Sequence, residues 1–121
     1  MIEGGFYKET PYVQISLGSG LSVQTPLVVL DTGFTGDLQV TPQIADDLRL
    51  EVRGKMPIGL ADGTIIDAPI SIAYAKMEGE LHPITVQILK GTPLMGIGFL
   101  TKFNYRAIVN CKYRTVFLER V

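Results

Sequence analysis

The chain has 121 residues, a length that suits one compact domain spanning residues 1–121. With 46% hydrophobic and 19% charged residues it can fill a core, which excludes a disordered chain. Eleven basic residues against twelve acidic ones leave a net charge of −1, so neither nucleic acid nor an anionic membrane surface is an expected partner.

Thirteen glycines and seven prolines punctuate short runs rich in Val, Ile and Leu, which is the pattern of an all-β chain. Met1 to Thr10 carries acidic residues and no apolar run, so no signal peptide is expected there. Val13, Ile15 and Leu17 alternate with Tyr12, Gln14 and Ser16, which predicts a half-buried strand. Gly18-Ser19-Gly20 then supplies a hairpin turn, and Val23 to Leu30 returns as a strand bent at Pro26. Thr41 can cap a helix and Pro42 fits its first position, so Pro42 to Leu50 is predicted helical. Ile65 to Lys76 and Leu81 to Leu89 read as two strands around a turn at Glu78-Gly79. Phe99 to Phe103 reads as a second short helix. Ala107 to Val109 and Thr115 to Leu118 read as final strands around a turn at Cys111 to Arg114.

The single cysteine, Cys111, can form no intrachain disulfide and is expected to be a small buried apolar residue. One His and one Cys cannot supply the usual metal-ligand set, so neither a metal nor a cofactor is expected. The strongest apolar stretch, Leu94 to Leu100, is far too short to span a bilayer. A cytoplasmic, soluble protein is the expectation.

The chemistry concentrates in one segment. Leu27-Val28-Val29-Leu30 has the composition of an interior strand and delivers Asp31 at its end, followed at once by Thr32 and Gly33. A hydroxyl can fix a tight loop and a glycine lets the backbone pass close to another backbone, so the combination presents a carboxylate from a rigid strand. A plain strand-to-turn transition would also favour Asp and Gly. Gly59 to Gly63 lacks the Gly-Lys-Ser/Thr ending of a phosphate loop. Gly96-Ile97-Gly98 lacks the third glycine of a dinucleotide fingerprint.

Three pieces occur together and in order: Val28-Val29-Leu30-Asp31-Thr32-Gly33-Phe34-Thr35-Gly36, then Leu60-Ala61-Asp62-Gly63-Thr64, then Pro93-Leu94-Met95-Gly96-Ile97-Gly98-Phe99-Leu100. On these residues the chain resembles the retropepsin-like aspartic proteases of the pepsin clan, and within them the bacterial and archaeal Asp-Thr-Gly-Phe group. The resemblance covers about residues 10 to 120. It implies a closed β-barrel lobe with a flap hairpin and one or two short helices. Asp31 would be the catalytic carboxylate and Thr32 would bond across a dimer axis, while Gly33 would let two loops approach. Leu94-Met95-Gly96 would be the second apolar-apolar-glycine element beside that loop. Gly59 to Pro69 would be the flap, with Ala61, Asp62 and Gly63 at its tip and an apolar underside from Leu60, Ile65 and Ile66.

Phe34 departs from the viral members, which carry a small residue there; its ring must pack into the core or wall a substrate subsite, and burial favours the first. Ile97 stands where viral members often carry an arginine, so their ion pair is expected to be absent. The chemistry needs two facing carboxylates, and the chain has one Asp-Thr-Gly. Asp37 lies after the loop, Asp46-Asp47 on the predicted helix, and Asp62 and Asp67 in the hairpin. A symmetric homodimer acting on a polypeptide is therefore implied, and the resemblance places Thr115 to Leu118 at its interface. The alternatives are a non-catalytic dimeric peptide-binding module, and a structural or regulatory domain in which Asp31 is only a turn residue.

Overall fold

A computed structural model describes all of residues 1–121. Twelve strands and two short helices follow one another. They are β1 (Ile2–Tyr7), β2 (Thr10–Gln14), β3 (Ser16–Ser19), β4 (Ser22–Gln24), β5 (Leu27–Leu30), β6 (Leu38–Val40) and α1 (Pro42–Asp47). Then come β7 (Gly54–Gly59), β8 (Ile65–Met77), β9 (Glu80–Ile88), β10 (Leu94–Met95), α2 (Ile97–Lys102), β11 (Tyr105–Asn110) and β12 (Thr115–Arg120). The all-β class expected from the punctuation of the chain is the one found. No helix is long and apolar enough to cross a membrane.

The strands lie in the order β11-β12-β1-β2-β5-β10-β6-β9-β8-β3-β4, with β7 attached only to β8. The expected barrel is not closed: the path ends at β11 on one side and β4 on the other. β4 has only three residues with which to pair, and β1 divides its pairing. Ile2 to Gly4 pair with β12, whereas Gly5 to Tyr7 pair with β2, so the β11–β12 hairpin continues past the body of the sheet.

The core lies where alternation predicts. Val13, Ile15, Leu17, Val28 and Leu30 are buried, and their neighbours Leu27 and Val29 are more exposed. Helix α1 begins as its sequence dictates: the Thr41 hydroxyl accepts the Ile44 N–H at 3.2 Å and Pro42 occupies the first turn. Helix α2 is anchored by the wholly buried rings of Phe99 and Phe103, whose centroids are 4.8 Å apart. Burying such a ring contributes about 1.5–3 kcal/mol. The helix stops where Asn104 takes a left-handed conformation at φ 55°.

Two expectations require correction. Cys111 is exposed, because the β11–β12 hairpin places it in a four-residue turn at its tip, with no layer above it. Thr115 to Leu118 is not the free edge that interface pairing would need in the single chain. β12 lies between β11 and β1 and is hydrogen-bonded on both edges within its own chain.

Candidate active site

Three strands build the site. β10 sits between β5 and β6, parallel to the first and antiparallel to the second, with Met95 opposite both Leu30 and Leu38. The connection from β5 to β6, residues 31 to 37, must therefore cross over the end of β10. Backbone bonds fasten the crossing. The Asp31 N–H donates to the Met95 carbonyl at 3.0 Å, and the Ile97 N–H to that of Phe34 at 2.8 Å. The Gly98 N–H donates to the Gly36 carbonyl and the Gly96 N–H to that of Asp37, each at 3.0 Å. The two segments singled out from the sequence, Asp31-Thr32-Gly33 and Leu94-Met95-Gly96, thus meet in space.

Asp31 emerges from β5 half-buried, and Thr32 and Gly33 beyond it are exposed. The carboxylate oxygen Oδ1 of Asp31 accepts the Gly33 N–H at 2.9 Å, and the Asp31 carbonyl accepts the Phe34 N–H at 3.1 Å. A side chain on Gly33 would place its Cβ 3.2 Å from Oδ1, tight enough to disturb that bond. The bond within the loop sets the direction of the carboxylate, and glycine at position 33 leaves it room.

Phe34 is half-buried, and two glycines make room for it. A Cβ on Gly36 would fall 2.6 Å from the ring, and one on Gly96 would fall 2.7 Å from it. The ring is packed onto the crossing itself. At Gly96 the carbonyl oxygens of Phe34 and Gly36 also occupy the space of a Cβ, so no other residue fits there without moving backbone.

Behind the loop lies a group the sequence reading passed over. Asp37 is buried, and its Oδ2 accepts the Thr85 N–H of β9 at 2.9 Å and binds the Lys102 ammonium of α2. An ion pair therefore does stand near Ile97, although Ile97 is not the arginine of the viral members. Its cation comes five residues later, one helical turn and more along α2. Nothing local to Asp37 distinguishes it from a loop aspartate; the clue was a lysine as the one charged residue of a short, largely apolar helix.

The remaining aspartates differ from these two in character: Asp46, Asp47, Asp62 and Asp67 are all exposed. No three His, Cys, Asp or Glu side chains form a group that could hold a metal ion. A depression of about 580 Å³ is lined by residues that include Phe6, Tyr7, Tyr12 and Leu27, and one of about 380 Å³ by residues that include Val23, Tyr74 and Leu81. Neither includes Asp31.

The hairpin β7–β8 is a separate arm. Strand β8 pairs with β9 only from Ile70 onward, so Ile65 to Pro69 have β7 alone as neighbour. At the tip the Leu60 N–H donates to the Thr64 carbonyl at 2.7 Å and the Gly63 N–H to the Leu60 carbonyl at 2.9 Å, with Gly63 at φ 87°. Asp62 Oδ1 accepts the Thr64 N–H at 2.9 Å. Hydrogen bonds from the Thr64 side chain and backbone hold the Asp62 carboxyl below the usual aspartate range. Ala61 is exposed beside it. Ile65 and Ile66 do not share an underside, because adjacent strand residues face opposite ways. Ile66 stands with its cross-strand partner Ile58, while Ile65 is 71% exposed on the other face.

No family model matches this sequence, and no curated protein sequence matches it. Among solved structures the chain is similar to a retropepsin-like aspartic protease from Rickettsia conorii. The likeness covers 98% of this chain and 89% of that one, with a TM-score of 0.65 and 14% sequence identity. A likeness of that extent at that identity is a likeness of architecture, and this chain has the retropepsin-like all-β fold.

Proposed function

We propose that the chain is an aspartic endopeptidase of the bacterial and archaeal Asp-Thr-Gly-Phe type, acting as a homodimer in which each copy supplies one Asp31. The observation that carries this reading is the presentation of Asp31. A core strand delivers it half-exposed, the Gly33 N–H orients it, and four backbone bonds lock its loop over β10. Such rigidity is what general acid–base chemistry needs from a group that must meet a water and a carbonyl within hydrogen-bond reach.

One carboxylate is insufficient. Two facing copies cannot both ionise at close range, so they share a proton: one accepts from the attacking water while the other donates to the peptide carbonyl. Shared protonation of this kind is the general behaviour of aspartic protease dyads. Thr32 and Gly33, exposed at the head of the loop, are the residues through which two loops would meet. The hairpin from Gly59 to Pro69, which extends beyond the support of β9, would serve as the cover over an extended peptide.

The experiment is cleavage of a peptide library at mildly acid pH by the wild type and by Asp31→Asn, each at several concentrations. Asparagine keeps the shape but can neither act as base nor share the proton. Activity should fall by about a thousandfold or more in the variant with its melting temperature preserved. Wild-type specific activity should decline on dilution through the dimer dissociation constant. Turnover by a demonstrated monomer, or by a contaminant-free Asp31→Asn preparation, contradicts the reading. Peptide binding without turnover would instead identify a binding module.

A further inference from the structure

Asp37 is the one buried aspartate of the chain, and three things converge on its carboxylate. The Thr85 N–H of β9 donates to Oδ2 at 2.9 Å, and the Lys102 ammonium pairs with the same oxygen. Oδ1 stands where a side chain on Gly98 would have to be, so the glycine leaves the space the carboxylate occupies. Desolvating a carboxylate to this degree is costly without partners. The side chain of Asp37 is only 10% exposed, whereas that of Lys102 is 43% exposed.

The connectivity gives this pair a consequence for Asp31. Asp37 ends the crossing loop, and its own carbonyl accepts the Gly96 N–H at 3.0 Å. From Gly96 the chain runs directly into α2, which returns Lys102 to the Asp37 carboxylate. Loop and helix are thus tied at both ends of a short circuit. The backbone bonds to Phe34, Gly36 and Asp37 form one end and the ion pair the other. Thr85 ties the same carboxylate to β9, which pairs with both β6 and β8.

We propose that Asp37 and Lys102 are a positioning pair, which holds the Asp31–Asp37 loop in register on β10 and so sets the direction of the Asp31 carboxylate. The catalytic consequence rests on the reading of Asp31 above; the mechanical one does not. Neither side chain touches a reacting atom in this assignment.

The test uses the full chain as Lys102→Met, Lys102→Arg and Asp37→Asn, at concentrations where sedimentation gives the same assembly state as wild type. Kinetics and backbone amide exchange at Gly96, Ile97 and Gly98 are read on each. Lys102→Met should lower kcat by about tenfold with KM within about twofold, because a small misplacement of a catalytic group costs rate rather than affinity. Its three amides should exchange about tenfold faster, since the loop contacts they make are loosened. Lys102→Arg, which keeps the charge and donors, should return both values close to wild type. Asp37→Asn keeps an acceptor for Thr85 but loses the charge, and should resemble Lys102→Met; should it fail to fold, the Lys102 variants decide alone. Unchanged kcat and exchange in Lys102→Met overturn the proposal, as does an equal loss in Lys102→Arg. If wild type cleaves no peptide, the catalytic reading fails separately, and unchanged exchange in Lys102→Met still overturns the pair.

Discussion

The crossing of residues 31 to 37 over β10 and the hairpin tip at residues 60 to 64 both depend on glycine, for opposite reasons. At Gly96 a Cβ would collide with backbone and with the Phe34 ring, while at Gly63 it would meet nothing within 4 Å. Gly96 is extended at φ −104°, a conformation open to any residue, so space alone demands glycine. Gly63 has all the space it needs but sits at φ 87°, so conformation alone demands it. The first region is a packed joint that presents a carboxylate rigidly. The second is an unsupported arm whose geometry is set by its own turn. A change in the joint should act on folding, and a change in the arm on whatever the arm covers.

The largest effect should come from Gly96→Ala. The added methyl meets the Phe34 carbonyl oxygen at 2.6 Å as well as ring carbon, and backbone on both sides must shift. A loss of about 3 kcal/mol or more is expected, read as a fall of roughly 10 °C or more in melting temperature. A variant that melts with wild type would show that the crossing is slack.

Gly36→Ala should be milder and repairable. Its methyl would collide with the Phe34 ring, at 2.6 Å from Cε1 and Cζ, rather than with backbone. A cost of about 1–2 kcal/mol is expected. In a Phe34→Ala background the same change should cost about 1 kcal/mol less, a coupling measurable from the urea midpoints of the four proteins of the cycle. Strict additivity would mean that the ring does not depend on the Gly36 site for its seat.

Gly63→Val sharpens the comparison from the other side. A β-branched residue at this φ costs about 1–2 kcal/mol locally, with no packing clash to add. Global stability should fall little, because the hairpin is held only by its own pairing, whereas turnover should fall severalfold if the tip must move over substrate. Melting and kinetics on one preparation separate the two. Unchanged turnover would remove Gly63 from the mechanism.

The smallest effect concerns acid. The folded-state carboxyl of Asp62 titrates below the ordinary aspartate value of 3.8 because the ionised form accepts hydrogen bonds from Thr64. A depressed folded value means the tip interaction is complete above the unfolded value and is lost as pH falls through the folded one. The Thr64 amide resonance should shift with a midpoint below 3.8, without a matching change in global stability. Asp62→Asn keeps an acceptor and should abolish the titration. A midpoint at or above the ordinary value would show that the turn does not form as described.

What could be read from the sequence was whatever depends on near neighbours. Thr41-Pro42 capped a helix because both effects act within one turn. Val13, Ile15 and Leu17 marked a core face because strand periodicity is local, and Leu27 to Leu30 read as an interior strand ending at Asp31 because an aliphatic run is a local pattern too. Glu78-Gly79 and Asp62-Gly63 marked turns by their tolerance of positive φ. Only the tertiary structure decided the rest, because it turns on residues far apart in the chain. β1 carries no strand alternation that marks it in the sequence yet joins β12 to β2, and Val116 to Leu118 of β12 have both edges taken within the chain, by β1 and β11. Cys111 is exposed because its hairpin outruns the sheet. Asp37 became a buried ion only when α2 folded back across 65 residues to bring Lys102 to it. The carboxylate that the sequence marked is held in place by one that it did not, since a local pattern reports conformation and only packing assigns partners to charge.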